Sequence, residues 1–271
     1  VRAALVTVDG LQVEIAGSRV LQGVGFEVPA TGVTALMGRN GVGKTTTARA
    51  ILGVLPDGGR ITGGHITFDG HDITREAAHL TVRRGIGYAP EDRGVFGSLT
   101  VAENLALAER PDRRGSSAPA YDLVHDLFPD LRDRARQRAG TLSGGQQQML
   151  ALARTLLNEN RLIIVDEPTK GLAPRVVAQV AEALRRAATE VPMLLVEQNL
   201  AVIRALADHA VVLDNGRTVH AGSAAELLAD RERTTRLLGV GRATRLTDAD
   251  ADADAADAAD ADSGAEEDVT A

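Results

Sequence analysis

Two kinds of apolar run divide the chain. Near its start, Ala3–Val8, Leu11–Ile15 and Val20–Val28 alternate apolar with polar or small positions, the period-2 pattern of half-buried strands. Asp9-Gly10 between the first two predicts a two-residue hairpin turn. Gly58–Gly64 reads as a loop and His65–Phe68 as a short strand ending at Asp69-Gly70, so this part is antiparallel in character. Val33–Met37, Leu162–Val165 and Met193–Val196 are instead almost continuously apolar, as expected of strands buried on both faces of a parallel sheet. Gly85–Ala89 is a further short strand, broken by Pro90. Helices are predicted after Thr45 (with Ala48, Ile51 and Leu52 inward, ending near Gly53), from about Pro174 to Thr189, and over Leu200–Leu206. Ala210–Leu213 and Arg217–His220 flank Asn215-Gly216, a favoured hairpin turn. Strands alternating with helices predict an α/β fold around a parallel sheet, with an antiparallel β-subdomain at its N-terminal side.

The stretch between Pro90 and Leu162 has a different pattern. A turn-rich passage, Glu91–Gly97, leads to Thr100, which reads as the N-cap of Val101–Glu109, with Glu103 completing a capping box. Arg110–Ala118 is a Pro/Arg/Ser linker, Tyr121–Phe128 is a short amphipathic helix, and Gln147–Leu157 is a helix that Ser143 can cap. This predicts a helical subdomain, about residues 91–158, inserted into the sheet-forming core.

Composition adds limits. The 271 residues are 44% hydrophobic but only 2% aromatic, so a core of Val, Leu, Ile and Ala is expected. The absence of cysteine excludes disulfides and thiolate metal sites. No charged-then-apolar leader and no run near the ~18 apolar residues of a membrane span are seen, so a soluble or peripheral chain is expected. The net charge of -7 is set by Thr247–Ala271, which holds ten acidic residues and no basic one; without them the charge is +3. Nothing marks the remainder as a nucleic-acid surface, and no nucleic-acid partner is expected. Ordering that Asp/Ala-rich tail would cost about 1–2 kcal/mol per residue with nothing apolar to bury, so residues 241–271 are expected to be a disordered, solvated extension.

The residues carrying chemistry fall at three places. Gly38, Arg39, Asn40, Gly41, Val42, Gly43, Lys44 and Thr45, followed by Thr46, match G-x-x-x-x-G-K-[ST] between a strand and a helix, the context a P-loop requires. Such a loop turns backbone N–H groups and the positive end of a helix toward a polyphosphate, with Lys44 on the outer phosphates and the Thr45 hydroxyl on a magnesium ion. Leu162–Val165 ends in Asp166 and Glu167, at the carboxyl end of a strand, where open α/β sheets bind ligands. Asp166 is placed to hold magnesium through water, and Glu167 to polarise a water for attack on a γ-phosphate. Leu142, Ser143, Gly144, Gly145 and Gln146 open a helix with a capping serine and bare glycine N–H groups, suited to an anion.

In this order the three motifs resemble the ATP-binding-cassette ATPases over about residues 3–240. The resemblance implies a P-loop NTPase (RecA-like) core, ATP and Mg2+ as ligands, and two cassettes paired head to tail. Each ATP is then held between one P-loop and the other subunit's Leu142–Gln146. Departures from the general pattern are Glu91 in place of a glutamine near the metal, Gln198 in place of a histidine, Ala173 in place of an aspartate, and Ile15 in place of an adenine-stacking aromatic. Gln198 can hydrogen-bond the γ-phosphate or the attacking water but cannot titrate near neutral pH. Lys170 stands where an acidic residue is common; it could pair with a carboxylate or phosphate, but an inert surface lysine is the plainer expectation.

Gly38–Thr47, Gly85–Arg93, Leu99–Leu105, Gly171–Pro174 and Val196–Asn199 together look like the second ATPase of branched-chain amino-acid importers. Urea and short-chain amide importers carry a similar ATPase, and a soluble cassette acting on ribosomes or DNA is the alternative of another class. The importer reading implies a homologous second ATPase (or a second copy), two permeases and an extracytoplasmic solute-binding protein. It also implies a position on the cytoplasmic membrane face, with Glu91–Ser98 and Thr100–Leu105 near the groove for a permease coupling helix.

Overall fold

The computed structural model describes residues 4–110 and 119–238. Most of the predicted Arg110–Ala118 linker and the acidic tail lie outside the described residues. Two sheets organise the rest. The first is antiparallel, in the order β2-β1-β4-β5, from β1 (Ala4–Ile15), β2 (Ser18–Pro29), β4 (Gly59–Phe68) and β5 (His71–Asp72). The second has the order β10-β9-β3-β8-β7-β6, from β3 (Val33–Met37), β6 (Ile86–Ala89), β7 (Leu162–Asp166), β8 (Met193–Val196), β9 (His209–Asp214) and β10 (Arg217–Ser223). Its pairs are parallel except β9 with β10. Gln22 N donates to Gly216 O at 2.8 Å, joining the two sheets at their edges.

Every residue of β3, β7 and β8 is buried, as their continuous apolar runs predict. Alternate residues feed opposite cores. Leu162 and Ile164 pack with Leu194, Val196 and Leu36 against α1 (Lys44–Leu52) and the antiparallel sheet. Ile163 and Val165 pack with Met193 and Leu195 against the helical layer: α3 (Val101–Ala108), α4 (Tyr121–Leu127), α5 (Pro129–Asp133), α6 (Gly144–Leu156) and α7 (Pro174–Ala187). A third cluster covers the β9 side with α8 (Leu200–Leu206) and α9 (Ala224–Ala229), which is followed by α10 (Arg231–Leu238). The short α2 (Ala78–Arg83) precedes β6.

Two expectations are corrected. Asp9-Gly10 is a bulge inside β1, where the register shifts against both neighbours, and the chain reverses instead at Ala16-Gly17. Gly58–Gly64 is not a loop, because Gly59 onward pairs with β1. A strand flanked on both sides stays extended, and the bulge takes up the Asp-Gly signal. Gly64 lies against that bulge, where a Cβ would come within 2.4 Å of the Gly10 carbonyl.

Both predicted caps are present. Thr100 and Glu103 form a reciprocal capping box on α3. Ser143 and Gln146 form another on α6, which begins at Gly144, earlier than the Gln147 start expected.

Candidate active site

The end of β3 turns through Gly38–Gly43 into α1. The cap of α1, Gly43, has a φ of 103°, and a Cβ there would lie 2.4 Å from Leu21 Cδ2, so conformation and space both demand glycine. The cap carries no side-chain hydrogen bond, and the first turn holds no acid. The first intrahelical bond from this turn is Thr47 N to Gly43 O at 2.8 Å, which leaves the preceding N–H groups to face an anion. Lys44 is buried, its Nζ donating to Gly38 O at 3.0 Å and Arg39 O at 2.9 Å. Burial holds its pKa below the usual lysine value, while Glu167 and Asp166 oppose that shift.

Adjacent strands bring the carboxylates to this loop. β8 separates β3 from β7, and Thr45 Oγ1 reaches Asp166 Oδ1 at 3.2 Å. Tyr88 donates to Asp166 Oδ2 at 3.3 Å from β6, whose register sets it beside Ile164. Asp166 is fully buried, and that burial raises its pKa against the opposing hydroxyl donors. A buried carboxylate and a hydroxyl oxygen converging in this way are the hard donors Mg2+ takes, with water and phosphate oxygens completing its shell.

Glu167 has a positive φ, 45°, uncommon for a side-chain-bearing residue. Its backbone N–H donates to Val196 O at 2.8 Å. The carboxylate is buried yet met by two close donors and, at ion-pair distance, by the Lys44 ammonium. Gln198 Nε2 lies 2.7 Å and Lys44 Nζ 3.9 Å from Oε1, while Lys170 Nζ lies 3.2 Å from Oε2. Gln198 Nε2 also reaches Asn40 Oδ1 at 2.7 Å, joining the tip of the glycine loop to Glu167. A carboxylate so oriented can act as a general base toward a water between it and a phosphate.

The remaining predicted residues divide. Glu91 meets Lys170 Nζ at 2.6 Å rather than the Thr45–Asp166 pair. Lys170 is therefore no inert surface residue: it bridges Glu91 and Glu167. Ile15 ends β1 beside the hairpin turn, half-buried against the core under α1. Leu142 belongs to the core of the helical layer, on the opposite sheet face from Val42 of the glycine loop. Ser143 and Gly144 are exposed, and the capping box uses the Ser143 and Gln146 N–H groups, leaving those of Gly144 and Gly145 in the first turn. Gly145 packs against Val176 of α7, where a Cβ would come within 2.5 Å of Cγ1.

Sequence reading missed two supporting groups. Buried Glu197 accepts from Thr169 Oγ1 at 2.6 Å and from the N–H groups of Gln198 and Asn199 at 2.7 and 3.0 Å, fixing both loops beside Glu167. Its place after the apolar run of β8 was the only signal. Tyr88 was read as a strand residue, and its partner Asp166 lies 78 positions away.

A cleft of about 300 Å³ lies beyond β6, lined by residues including Arg93, Gly94, Ala108, Arg110 and Arg154. Arg93 and Gly94 of the Glu91–Ser98 stretch and Ala108 at the C-terminal end of α3 are among its lining. No helix among the described residues is long and apolar enough to cross a membrane.

Comparison with known proteins agrees with this geometry. A family model described as ABC transporter matches residues 21–170. The high-affinity branched-chain amino acid transport ATP-binding protein BraG of Pseudomonas aeruginosa is 38% identical over 220 residues, covering 81% of this chain and 93% of that protein. The probable branched-chain amino acid transport ATP-binding protein LivF of Archaeoglobus fulgidus is 32% identical over 223 residues, 82% of this chain and 93% of that one. Among solved structures, the ADP conformation of MJ1267, an ATP-binding cassette of an ABC transporter, shares the fold with a TM-score of 0.71, at 24% identity over 86% of this chain and 97% of that one. The chain belongs to the ABC transporter family, as one of its ATP-hydrolysing cassettes.

Proposed function

We propose that this cassette is the ATPase subunit of an importer for branched-chain amino acids, seated on the cytoplasmic face of the membrane against two permeases. The observation that carries the solute is the similarity to BraG at 38% identity along most of both chains. The extracytoplasmic binding protein belongs to the same proposal.

The site supports the following division of labour. The first-turn N–H groups of α1 and Lys44 hold the ATP phosphates. Thr45 and Asp166 are the groups we assign to Mg2+, which when bound neutralises charge on the phosphates. Glu91 joins them only on leaving Lys170. Glu167 takes a proton from the attacking water, and Gln198 fixes the Glu167 oxygen that does so. Ile15 supplies an apolar edge for the base.

Leu142 packs on the opposite face of the parallel sheet from the glycine loop, so a second cassette is the source we assign for the Ser143–Gly145 contacts to each ATP. That cassette is a homologous ATPase or a second copy of this chain. The arginine-lined cleft beyond β6, with Phe96 exposed beside Arg154, is the surface we assign to a permease.

Vesicles containing the chain, two candidate permeases and a candidate binding protein test the solute. Leucine or isoleucine uptake that requires internal ATP supports the proposal. Uptake of urea or acetamide with none of leucine would replace it.

A further inference from the structure

The chain holds 28 arginines and only two lysines, Lys44 and Lys170, and both lysines lie on the carboxylate of Glu167. Lys170 does more than neutralise it. Its Nζ is 3.2 Å from Glu167 Oε2 and 2.6 Å from Glu91 Oε1, so one ammonium spans carboxylates that lie 76 positions apart in the chain. An ammonium is a compact charge with three donors and can bridge two acids, whereas a planar guanidinium favours bidentate pairing with one.

Both ends of this bridge are anchored. On one side, Lys170 N donates to Glu167 O at 3.2 Å, and neighbouring Thr169 is held by buried Glu197 at 2.6 Å. On the other, Glu91 lies within a turn closed by Arg93 N donating to Pro90 O at 3.2 Å. Arg93 Nη1 donates to Gln147 Oε1 at 3.2 Å, and Gln147 Nε2 donates to Ala139 O at 3.2 Å. Gln147 is in the first turns of α6, directly after the Ser143–Gln146 capping box. A continuous polar path therefore runs from Glu167 through Lys170 and Glu91 to the helix that presents the glycine pair.

We propose that Lys170 is a positioning residue: it orients Glu167 for the reaction and ties that carboxylate to the 91–93 turn, and through it to α6. The inference rests on the proposed role of Glu167 as the base. Lys170 leaves the Oε1 side of Glu167 to Gln198 and holds the Oε2 side in place. A Glu91 that leaves Lys170 also releases the restraint on Glu167, so occupancy at Glu91 is felt at the base.

The experiment compares the parent with Lys170→Met, Lys170→Arg, Glu91→Gln and the Lys170→Met/Glu91→Gln double variant. Deuterium uptake over residues 91–99 is measured without nucleotide, and kcat and KM for ATP are measured with Mg2+. Loss of an exposed ion pair predicts exchange about two- to five-fold faster over 91–99 in Lys170→Met. Misorientation of the base predicts a kcat about tenfold lower, with KM for ATP within about twofold. Lys170→Arg keeps the charge but pairs with one acid instead of bridging two, so its exchange over 91–99 matches that of Lys170→Met within about twofold and its kcat falls at least about threefold below the parent. The double variant exchanges no faster than Lys170→Met by more than about twofold, because the two residues act as one unit. Unchanged exchange over 91–99, or an unchanged kcat in Lys170→Met, overturns the proposal. Failure of the base reading is separate: it shows as parent-like turnover in Glu167→Gln, and the exchange measurement still decides the bridge.

Discussion

Gln198 Nε2 lies 2.7 Å from Glu167 Oε1, an amide donor where a titratable ring would give a pH-dependent one. The same nitrogen is 2.7 Å from Asn40 Oδ1, so the contact also closes the tip of the glycine loop over the base. An amide keeps its donor at all physiological pH values, whereas histidine changes charge near pH 6.5.

This contrast gives the first prediction. Gln198→Ala removes the donor and lowers kcat about 10- to 100-fold, in the range of a lost orienting contact in an active site. Gln198→His restores a donor and adds a titration. Between about pH 6 and 8 its turnover changes with pH, while Gln198 itself contributes no such step to the parent. A pH–rate profile of both proteins, with stopped-flow mixing of ATP, distinguishes them.

Asp166 supports a prediction about metal. Asp166→Asn keeps an acceptor for Thr45, 3.2 Å away, but removes the charge. Binding of ATP in the presence of EDTA should be preserved within about threefold, and the gain in affinity on adding Mg2+ should fall at least about tenfold, since divalent binding depends on anionic oxygens. Isothermal titration with and without Mg2+ measures this. An undiminished Mg2+ effect would remove Asp166 from the metal site.

The glycine pair of α6 gives a prediction about packing. A methyl at Gly145 would come within 2.5 Å of Val176 Cγ1, so Gly145→Ala must displace α6 from α7. Overpacking of this kind costs about 1–3 kcal/mol. The Ser143–Gln146 cap moves with it, so turnover falls at least about tenfold while binding of ATP to the isolated chain, which uses α1, is unchanged. Val176→Ala, which opens the space, should restore part of the turnover to Gly145→Ala. Thermal melts together with turnover in the single and double variants show whether the loss follows packing.

The outline of the fold was legible because its signals are local. The continuous apolar runs of β3, β7 and β8 need no partner to identify them, and the Thr100–Glu103 and Ser143–Gln146 boxes lie within one turn of helix. Asp9-Gly10 misled because the same dipeptide suits a turn or a bulge. Pairing of β1 with both β2 and β4 decides between them, and that pairing is non-local. Short α2 and α5 carry too few residues for a helical period to emerge.

The candidate site divides along the same line. The loop at Gly38–Thr46 and the strand-end carboxylates could be read from spacing. The contacts of Lys170 with Glu91 and of Tyr88 with Asp166 could not, because they join residues brought together only by the sheet order.

The central claim is that Glu167 is the base for ATP hydrolysis. Single-turnover hydrolysis of bound Mg-ATP by Glu167→Gln, measured beside the parent and beside ATP affinity, tests it most directly. Retained ATP binding with hydrolysis slowed at least about a hundredfold is the predicted result. Hydrolysis by Glu167→Gln within about twofold of the parent would contradict it.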